Sequence, residues 1–458
     1  MSKSKTLSRS RRPRRQQRYQ AAKPSIWPSW PAATYQWLTI FLILLSFVFI
    51  TIPAHDQRRL FMPDPWAYEM ATQQFAQGQW VLTDDQAAQA RTEVRLRGGT
   101  LEQYVPSGQD QWVFRQSPGY PLLLVPFYQL GLPRLANFLL AAAAATILYR
   151  LLSRWHDPQI AAIGILLLLW SPISLVASHY LYMATFASGM LMVISGGLLL
   201  WYDRDKQMTA WAWLGLFAAG LAGGWAVLAR NVNILPLLVL GGYLLLRLWQ
   251  RYKETKQITW QPLVAWGLGG LIALTVLLAY NTLTFGQPLD TGYAYPSPDD
   301  KWYLWKGNPA TEVPGGTQTW LAEGTVGAIF NTLVEHAILW SRPAILGWPF
   351  LPLVLLAVIL ALWRQRTTTI TWFLVLWCLA VYSFYAGVVF FGITRILSVP
   401  NNLGWGFFTG VRYLFPASLP FILLFLDWLI RWPRRYVLAL ALVYLLLSSW
   451  IFWRVVTP

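Results

Sequence analysis

The chain has 458 residues, of which 56% are hydrophobic and only 12% charged, and its mean hydropathy is +0.40. Water-soluble domains carry about 25% charged residues, so this composition excludes an ordinary soluble fold. The formal charge of +17 would suit nucleic acid, but its distribution along the chain excludes that partner.

Apolar runs of about 20 residues, long enough to cross a bilayer as helices, recur over the whole length. They predict an all-α integral membrane protein with about eleven spans: 37–53, 132–151, 159–175, 183–202, 209–228, 232–249, 260–281, 343–363, 369–390, 412–430 and 435–453. With the N-terminus cytoplasmic, the inner segments hold 22 Lys and Arg against 5 acidic residues, and the outer segments hold 14 against 14. That asymmetry obeys the rule that cytoplasmic loops are rich in Lys and Arg. The positive charge therefore reads as topology and as attraction to anionic membrane lipid.

In chain order, residues 1–36 form a basic tail whose polar start reads as disordered and whose long charged region fits an uncleaved anchor better than a signal peptide. The membrane domain covers 37–458, with two long outer loops at about 54–118 and 282–342; long polar segments on one side of a membrane suggest a site there. The first loop contains "FMPDPWAYEMATQQFAQGQW" (61–80), which reads as an amphipathic helix lying on the outer surface. Asp64 and Pro65 suit its N-cap and first turn. Gly78 suits its end. Trp66, Met70, Phe75 and Trp80 supply the apolar surface while the glutamines face water.

The stretch "FRQSPGYPLLLVPFYQLGLPRLANFL" carries prolines at 118, 121, 126 and 133 and cannot be one regular helix. It reads as a bent re-entry that brings Arg115, Gln116 and Tyr120 to the membrane surface. The next span, rich in small residues, allows close helix packing. Cys378, the single cysteine, lies inside a predicted span and has no partner for an intramolecular disulfide. No internal repeat or matched pair of broken helices is visible, which argues against an inverted-repeat transporter.

Asp64 with Tyr68, Ala71, Gly78 and Trp80, followed by "SPGYPLLLVPFYQLG", resembles the first outer loop of GT-C membrane glycosyltransferases. The likeness is to the family-39-like enzymes related to protein O-mannosyltransferases and the lipid A aminoarabinose transferase. Three later stretches fit in consistent order: "GWAVLARNVNILPLL" (224–238), "YNTLTFGQPLDTGYAYP" (280–296) and "GVRYLFPASLPFILL" (410–424). The resemblance implies a GT-C-type fold in a bacterial inner (plasma) membrane, with amphipathic juxtamembrane helices in its outer loops and the active site on the outer face. It implies transfer of a sugar from a polyprenyl-phosphate carrier to a glycan, lipid or protein acceptor, with Asp64 as the catalytic base or as a contact to a divalent metal, Mg or Mn. Two departures stand out: Pro65 replaces the acidic residue that often follows, and "SHYLYMATFASGM" (178–190) has His179 but no carboxylate. They leave metal use open and keep a non-catalytic subunit with the same fold among the alternatives.

The chemistry points the same way. A lipid-phosphate sugar develops oxocarbenium character as the phosphate leaves. The acceptor must lose a proton to a nearby base, and the leaving phosphate needs cations at the membrane boundary. Asp64 is the preferred base; Glu69 lies roughly 140° away around a helix and would not share its face. Arg230, Arg412 and Arg342 are the candidate phosphate ligands, since a guanidinium can grip two oxygens; each could equally be an interfacial anchor. Tyr68, Glu69, Arg115, Tyr120, His179, Asp290 and Tyr293 are candidate pocket residues. Tryptophans of the outer loops, Trp348 among them, could stack on sugar rings or line a lipid groove. A transporter or flippase of a lipid-linked saccharide is the rival reading. It would need more polar residues at mid-membrane than these spans carry.

Overall fold

The computed structural model describes residues 31–51, 63–99, 101, 103–107, 111–205, 208–292, 347–363, 368–386 and 412–456. Most of the tail, the second long loop from Tyr293 onward and Arg342 lie outside these residues.

Among the described residues, seven helices are long and apolar enough to cross a bilayer: α1 (Ala32–Thr51), α5 (Arg134–Trp155), α8 (Ala184–Asp205), α9 (Ala210–Ala229), α10 (Ile234–Thr255), α11 (Gln261–Phe285) and α15 (Arg434–Val456). An eighth span forms if α6 (Pro158–Leu169) and α7 (Pro172–His179) are taken together across a 48° bend. The bend has a local cause. Pro172 has no N–H to offer the preceding turn, and the Ser171 hydroxyl caps α7 by accepting from the Ser174 N–H at 3.1 Å. Shorter apolar helices α12 (Leu351–Trp363), α13 (Thr369–Ala386) and α14 (Ser418–Leu429) occupy the remaining predicted segments, so each expected span contains an apolar helix. The chain is a multi-pass membrane protein.

Close packing inside the bundle depends on absent side chains. A Cβ on Gly220 of α9 would lie 1.8 Å from the Trp266 carbonyl oxygen of α11, and one on Gly269 would lie 2.1 Å from that of Phe217. These glycines let the two backbones touch, as small residues do where lipid gives no hydrophobic drive between helices.

On one side of the bundle the first long loop folds into a separate platform with its own core, which includes Trp66, Tyr68, Phe75, Val94, Tyr104, Phe114, Tyr120 and Tyr280. It begins with α2 (Pro63–Ala76) and ends with α4 (Gly119–Gln129). Between them lie α3 (Asp84–Leu96) and the strands β1 (Val81–Thr83), β2 (Tyr104–Pro106) and β3 (Gln111–Phe114). The strands form an antiparallel sheet in the order β1-β3-β2, with Val81 opposite Val113 and Tyr104 opposite Phe114. The sheet and α3 are additions to the sequence reading. Thr83 and Gln86 start α3 with reciprocal bonds of 3.3 and 3.0 Å, each satisfying a backbone donor the helix cannot use.

The structure corrects the expected surface helix at 61–80. Trp66, Ala67, Tyr68, Ala71, Thr72 and Phe75 are all buried, so α2 is sandwiched within the platform. Gln74 is buried too, and its Oε1 accepts from the Tyr104 hydroxyl at 2.7 Å. Only Gln77 and Gln79, beyond the helix end, face solvent as expected. Gly78 ends α2 with φ +74°, the left-handed conformation glycine adopts without a Cβ penalty. Asp64 sits within the first turn of α2 as its second residue, two positions past the cap expected for it. The proline-rich segment does break as predicted: Pro118 and Pro133 occupy the N-caps of α4 and α5.

Gly220→Leu or Gly269→Leu should therefore separate α9 from α11 and destabilise the bundle by about 1–3 kcal/mol or more. Thermal unfolding of the detergent-solubilised variants should show a midpoint lowered by several degrees; an unchanged midpoint would contradict this packing.

Candidate functional site

Helix ends gather beneath the platform, and side chains join them to it. The Arg134 guanidinium, at the start of α5, donates to the Ile50 carbonyl at 2.8 Å and to the His179 carbonyl at 3.2 Å. These belong to the last turns of α1 and α7, whose carbonyls have no partner within their own helices. The Trp225 indole N–H of α9 donates to the Gly119 carbonyl at 2.9 Å. A Cβ on Gly119 would lie 2.5 Å from the Leu228 backbone, so α4 meets α9 backbone to backbone. The Tyr280 hydroxyl of α11 donates to the Phe114 carbonyl at 2.8 Å. Ser117 hydrogen-bonds Asn231 at the tip of the α9–α10 hairpin.

Half-buried Asp64 opens α2, where the helix dipole favours a carboxylate. Further along α2, Glu69 accepts two hydrogen bonds from Arg97 Nη2, both of 3.1 Å. The same guanidinium lies 4.7 Å above the Trp66 ring. The pair thus ties α2 to the end of α3. Tyr182, in the α7–α8 turn, faces this group: burial first, then the Glu69 charge, push its phenol up, while Arg134 and Arg97 act in the opposite sense. Tyr182 stays a neutral donor at physiological pH.

Tyr68 and Tyr120 are buried side chains whose rings meet edge to face at 5.8 Å. The Tyr120 hydroxyl donates to the Leu181 carbonyl and accepts from Asn137 Nδ2 at 3.1 Å. It fixes the α7–α8 turn against α4 and α5. His179 is also buried, packed edge to face on Tyr180 and Phe452. The structure therefore brings Tyr68, Glu69, Tyr120 and His179 around one turn, residues 179–182. Tyr68, Tyr120 and His179, expected to line a pocket, are all buried in this packing.

A second group forms where α11 ends. Gly286 (φ +80°) closes that helix, and Asn281 Nδ2 holds the next turn by donating to the Pro288 carbonyl at 3.0 Å. A Cβ on Gly292 would be 2.3 Å from the Arg115 carbonyl oxygen. The "PLDTG" segment is thus laid directly on Arg115, with Asp290 half-buried beside it. Tyr293 lies outside the described residues.

Arg230 ends α9, and its Nη1 donates to Thr185 Oγ1 at 2.7 Å in the first turn of α8. The backbone of Arg412 begins a 3-10 turn, Arg412–Ala417. Phe415 of that turn stacks on Phe186, 5.9 Å between centroids. The turn therefore docks on the end of α8 that holds Thr185. The two arginine-bearing segments expected to hold a phosphate share one helix end. Trp348 is fully buried, with its ring 5.2 Å from Phe421 and 6.4 Å from Phe415; it is bundle core and offers no face to a sugar.

Among the described residues no three His, Cys, Asp or Glu side chains cluster as metal ligands would. Sequence reasoning missed Arg134, Arg97, Tyr182, Thr185 and Asn231. For Arg134 a signal existed, an arginine at the mouth of an otherwise apolar span.

No family model matches the chain, and no curated protein matches it by sequence. Its structure is similar to ArnT from Cupriavidus metallidurans bound to undecaprenyl phosphate, with a TM-score of 0.53 and 17% identity over 88% of this chain and 62% of that one. It is also similar to ArnT of the same organism in the apo state (TM-score 0.49, 17% identity, 90% and 62% covered). A third likeness is to the Archaeoglobus fulgidus oligosaccharyltransferase tethered to an acceptor peptide (TM-score 0.46, 14% identity, 92% and 55% covered). The chain thus spans less than two thirds of the length of these solved structures. The first likeness gives it a GT-C-like membrane fold.

Tyr120→Phe removes the hydroxyl between Leu181 and Asn137 and leaves buried polar groups unpaired, at a cost of about 1–3 kcal/mol. The thermal midpoint should fall, and the loss should shrink when Asn137→Leu is added, because neighbouring sites couple. Strict additivity of the two changes would show that the bond does not hold the turn.

Proposed function

We propose that the chain is a membrane glycosyltransferase that moves a sugar from a polyprenyl-phosphate carrier to an acceptor on the outer face of a plasma membrane. The observation that carries this reading is the placement of an acidic helix start, Asp64 on α2, in a rigid platform seated on the helix ends that bear Arg230 and the Arg412 turn. The GT-C-like fold, shared with a protein crystallised with undecaprenyl phosphate, supports it.

In the proposed reaction the acceptor hydroxyl or amine attacks the anomeric carbon of the donor. The new bond forms as the bond from that carbon to the phosphate oxygen breaks, and its electron pair leaves on the phosphate. Asp64 takes the acceptor proton. Arg230 and Arg412, with Arg342 as a third candidate, neutralise the departing lipid phosphate. A single displacement of this kind inverts the anomeric centre. Glu69, already engaged by Arg97, serves the shape of α2, while Arg115 and Asp290 border the acceptor side.

Purified protein offered a panel of polyprenyl-phosphate sugars should release carrier phosphate with one of them. Asp64→Asn should slow that release by about 10²–10⁴-fold while leaving the fold intact, since the helix-dipole contribution it removes is only about 0.3–1 kcal/mol. Release that survives the substitution would remove Asp64 as the base, and carrier movement across vesicles without release would favour a transporter. Repeating the assay with a chelator addresses a metal delivered with substrate.

A further inference from the structure

The backbone at the α9–α10 tip is fixed on both sides of Arg230. That residue is extended, with φ −152° and ψ 112°. Its N–H donates to the Ala226 carbonyl at 2.9 Å, and its own carbonyl accepts from the Asn233 N–H at 3.0 Å. Asn233 is buried and donates from Nδ2 to the same Ala226 carbonyl at 2.8 Å. What is left to place is a long, rotamer-rich side chain.

Thr185 does that placing. It is the second residue of α8 and only 1% exposed, and its hydroxyl accepts from Arg230 Nη1 at 2.7 Å. Thr185 is itself held firmly. Branching at Cβ restricts its χ1, and the Ser188 hydroxyl donates to its carbonyl at 3.1 Å. The turn before it is pinned at Leu181 by Tyr120 and at His179 by Arg134.

Helix α8 ties an arginine at each end, and the two ties differ in charge. At the end away from the platform the tie is ionic: Arg247 Nε donates to Asp203 Oδ1 at 2.6 Å, and Glu254 adds a second negative charge near that guanidinium. Thr185 holds Arg230 through a neutral oxygen and adds no counter-charge. A hydrogen bond from a charged donor is stronger than one between neutral groups, so Thr185 supplies orientation without weakening the attraction for an anion.

We propose that Thr185 is a positioning residue that holds the Arg230 guanidinium ready for the carrier phosphate, an inference that rests on reading Arg230 as a phosphate ligand. An arginine ordered only when ligand arrives loses its rotamer entropy at that moment, and affinity falls accordingly. Tethered to Thr185, Arg230 has lost that freedom on folding. Thr185 therefore contributes to affinity for the phosphate and not to affinity for the lipid chain.

Binding of undecaprenyl phosphate and of its uncharged counterpart, undecaprenol, to the full chain in detergent, followed by microscale thermophoresis, tests this. Wild type should bind the phosphate more tightly than the alcohol. Thr185→Val should weaken phosphate binding about tenfold and leave undecaprenol binding unchanged, and Thr185→Ser should restore most of the loss. Ser195→Ala is the matched control: it removes another buried α8 hydroxyl, bonded to the Ala219 carbonyl at 2.8 Å, and should leave phosphate binding unchanged. In an Arg230→Gln background Thr185→Val should cost nothing further. A wild type that prefers the phosphate while Thr185→Val binds it equally well would overturn the role of Thr185 alone. Equal weakening for both lipids, or the same loss in Ser195→Ala, would reduce Thr185 to a structural contact and overturn it too. A wild type with no preference would overturn the carrier reading and this inference together. Should Thr185→Val fail to fold, Thr185→Ala removes the same hydroxyl and decides between these outcomes.

Discussion

A helix that ends near a membrane surface leaves backbone carbonyls without partners, and in low-dielectric surroundings each must be satisfied or it costs free energy. In this protein donors from other elements do that work. Arg134 reaches carbonyls in the last turns of α1 and α7, while Trp225 and Tyr280 reach carbonyls of the platform, Gly119 at the start of α4 and Phe114 at the end of β3. Each bond joins two elements far apart in sequence, so satisfying the backbone and fixing the platform are one event. The position of Asp64 follows: α2 is held by the platform core, the platform by the helix ends, and the helix ends by the bundle.

The same arrangement separates fully buried polar side chains from half-buried ones. Tyr68, Tyr120 and His179 carry polar atoms, yet all three are buried and packed ring against ring around the turn at 179–182. Asp64 and Arg230 lie half-buried at element ends, whereas Arg115, just past β3, is buried. Glycine allows the closest approaches: at Gly119 α4 touches α9, and at Gly292 the "PLDTG" segment touches Arg115. A motif that looks like a sequence signature is thus in part a steric requirement for two backbones to meet.

Much of the fold was legible because it rests on run length. An apolar stretch of about 20 residues predicts a span whatever surrounds it, and the prolines at 118 and 133 mark real helix starts. The sheet was not legible, since its strands have three or four residues, too short for an alternating pattern to show, and β1 pairs with β3 across the intervening α3. Thr83 and Gln86 at capping-box spacing did announce α3. The burial of α2 was misread because Gln74 looks water-facing until Tyr104, thirty residues away, supplies its partner. Of the candidate site, residue types and local motifs could be read from the chain; the bonds from Arg97 to Glu69 and from Arg230 to Thr185 required the tertiary fold.

What remains decisive is where the carrier's phosphate rests on the molecule. A polyprenyl phosphate bearing a diazirine beside its phosphate, photolysed with the purified protein and mapped by peptide mass spectrometry, reads that position directly. Labelling should concentrate on the α9–α10 tip around Arg230 and on the start of α2, and excess unlabelled carrier should abolish it. Specific labelling confined to the opposite ends of α8 and α10, with none under the platform, would contradict the placement of the reaction at Asp64.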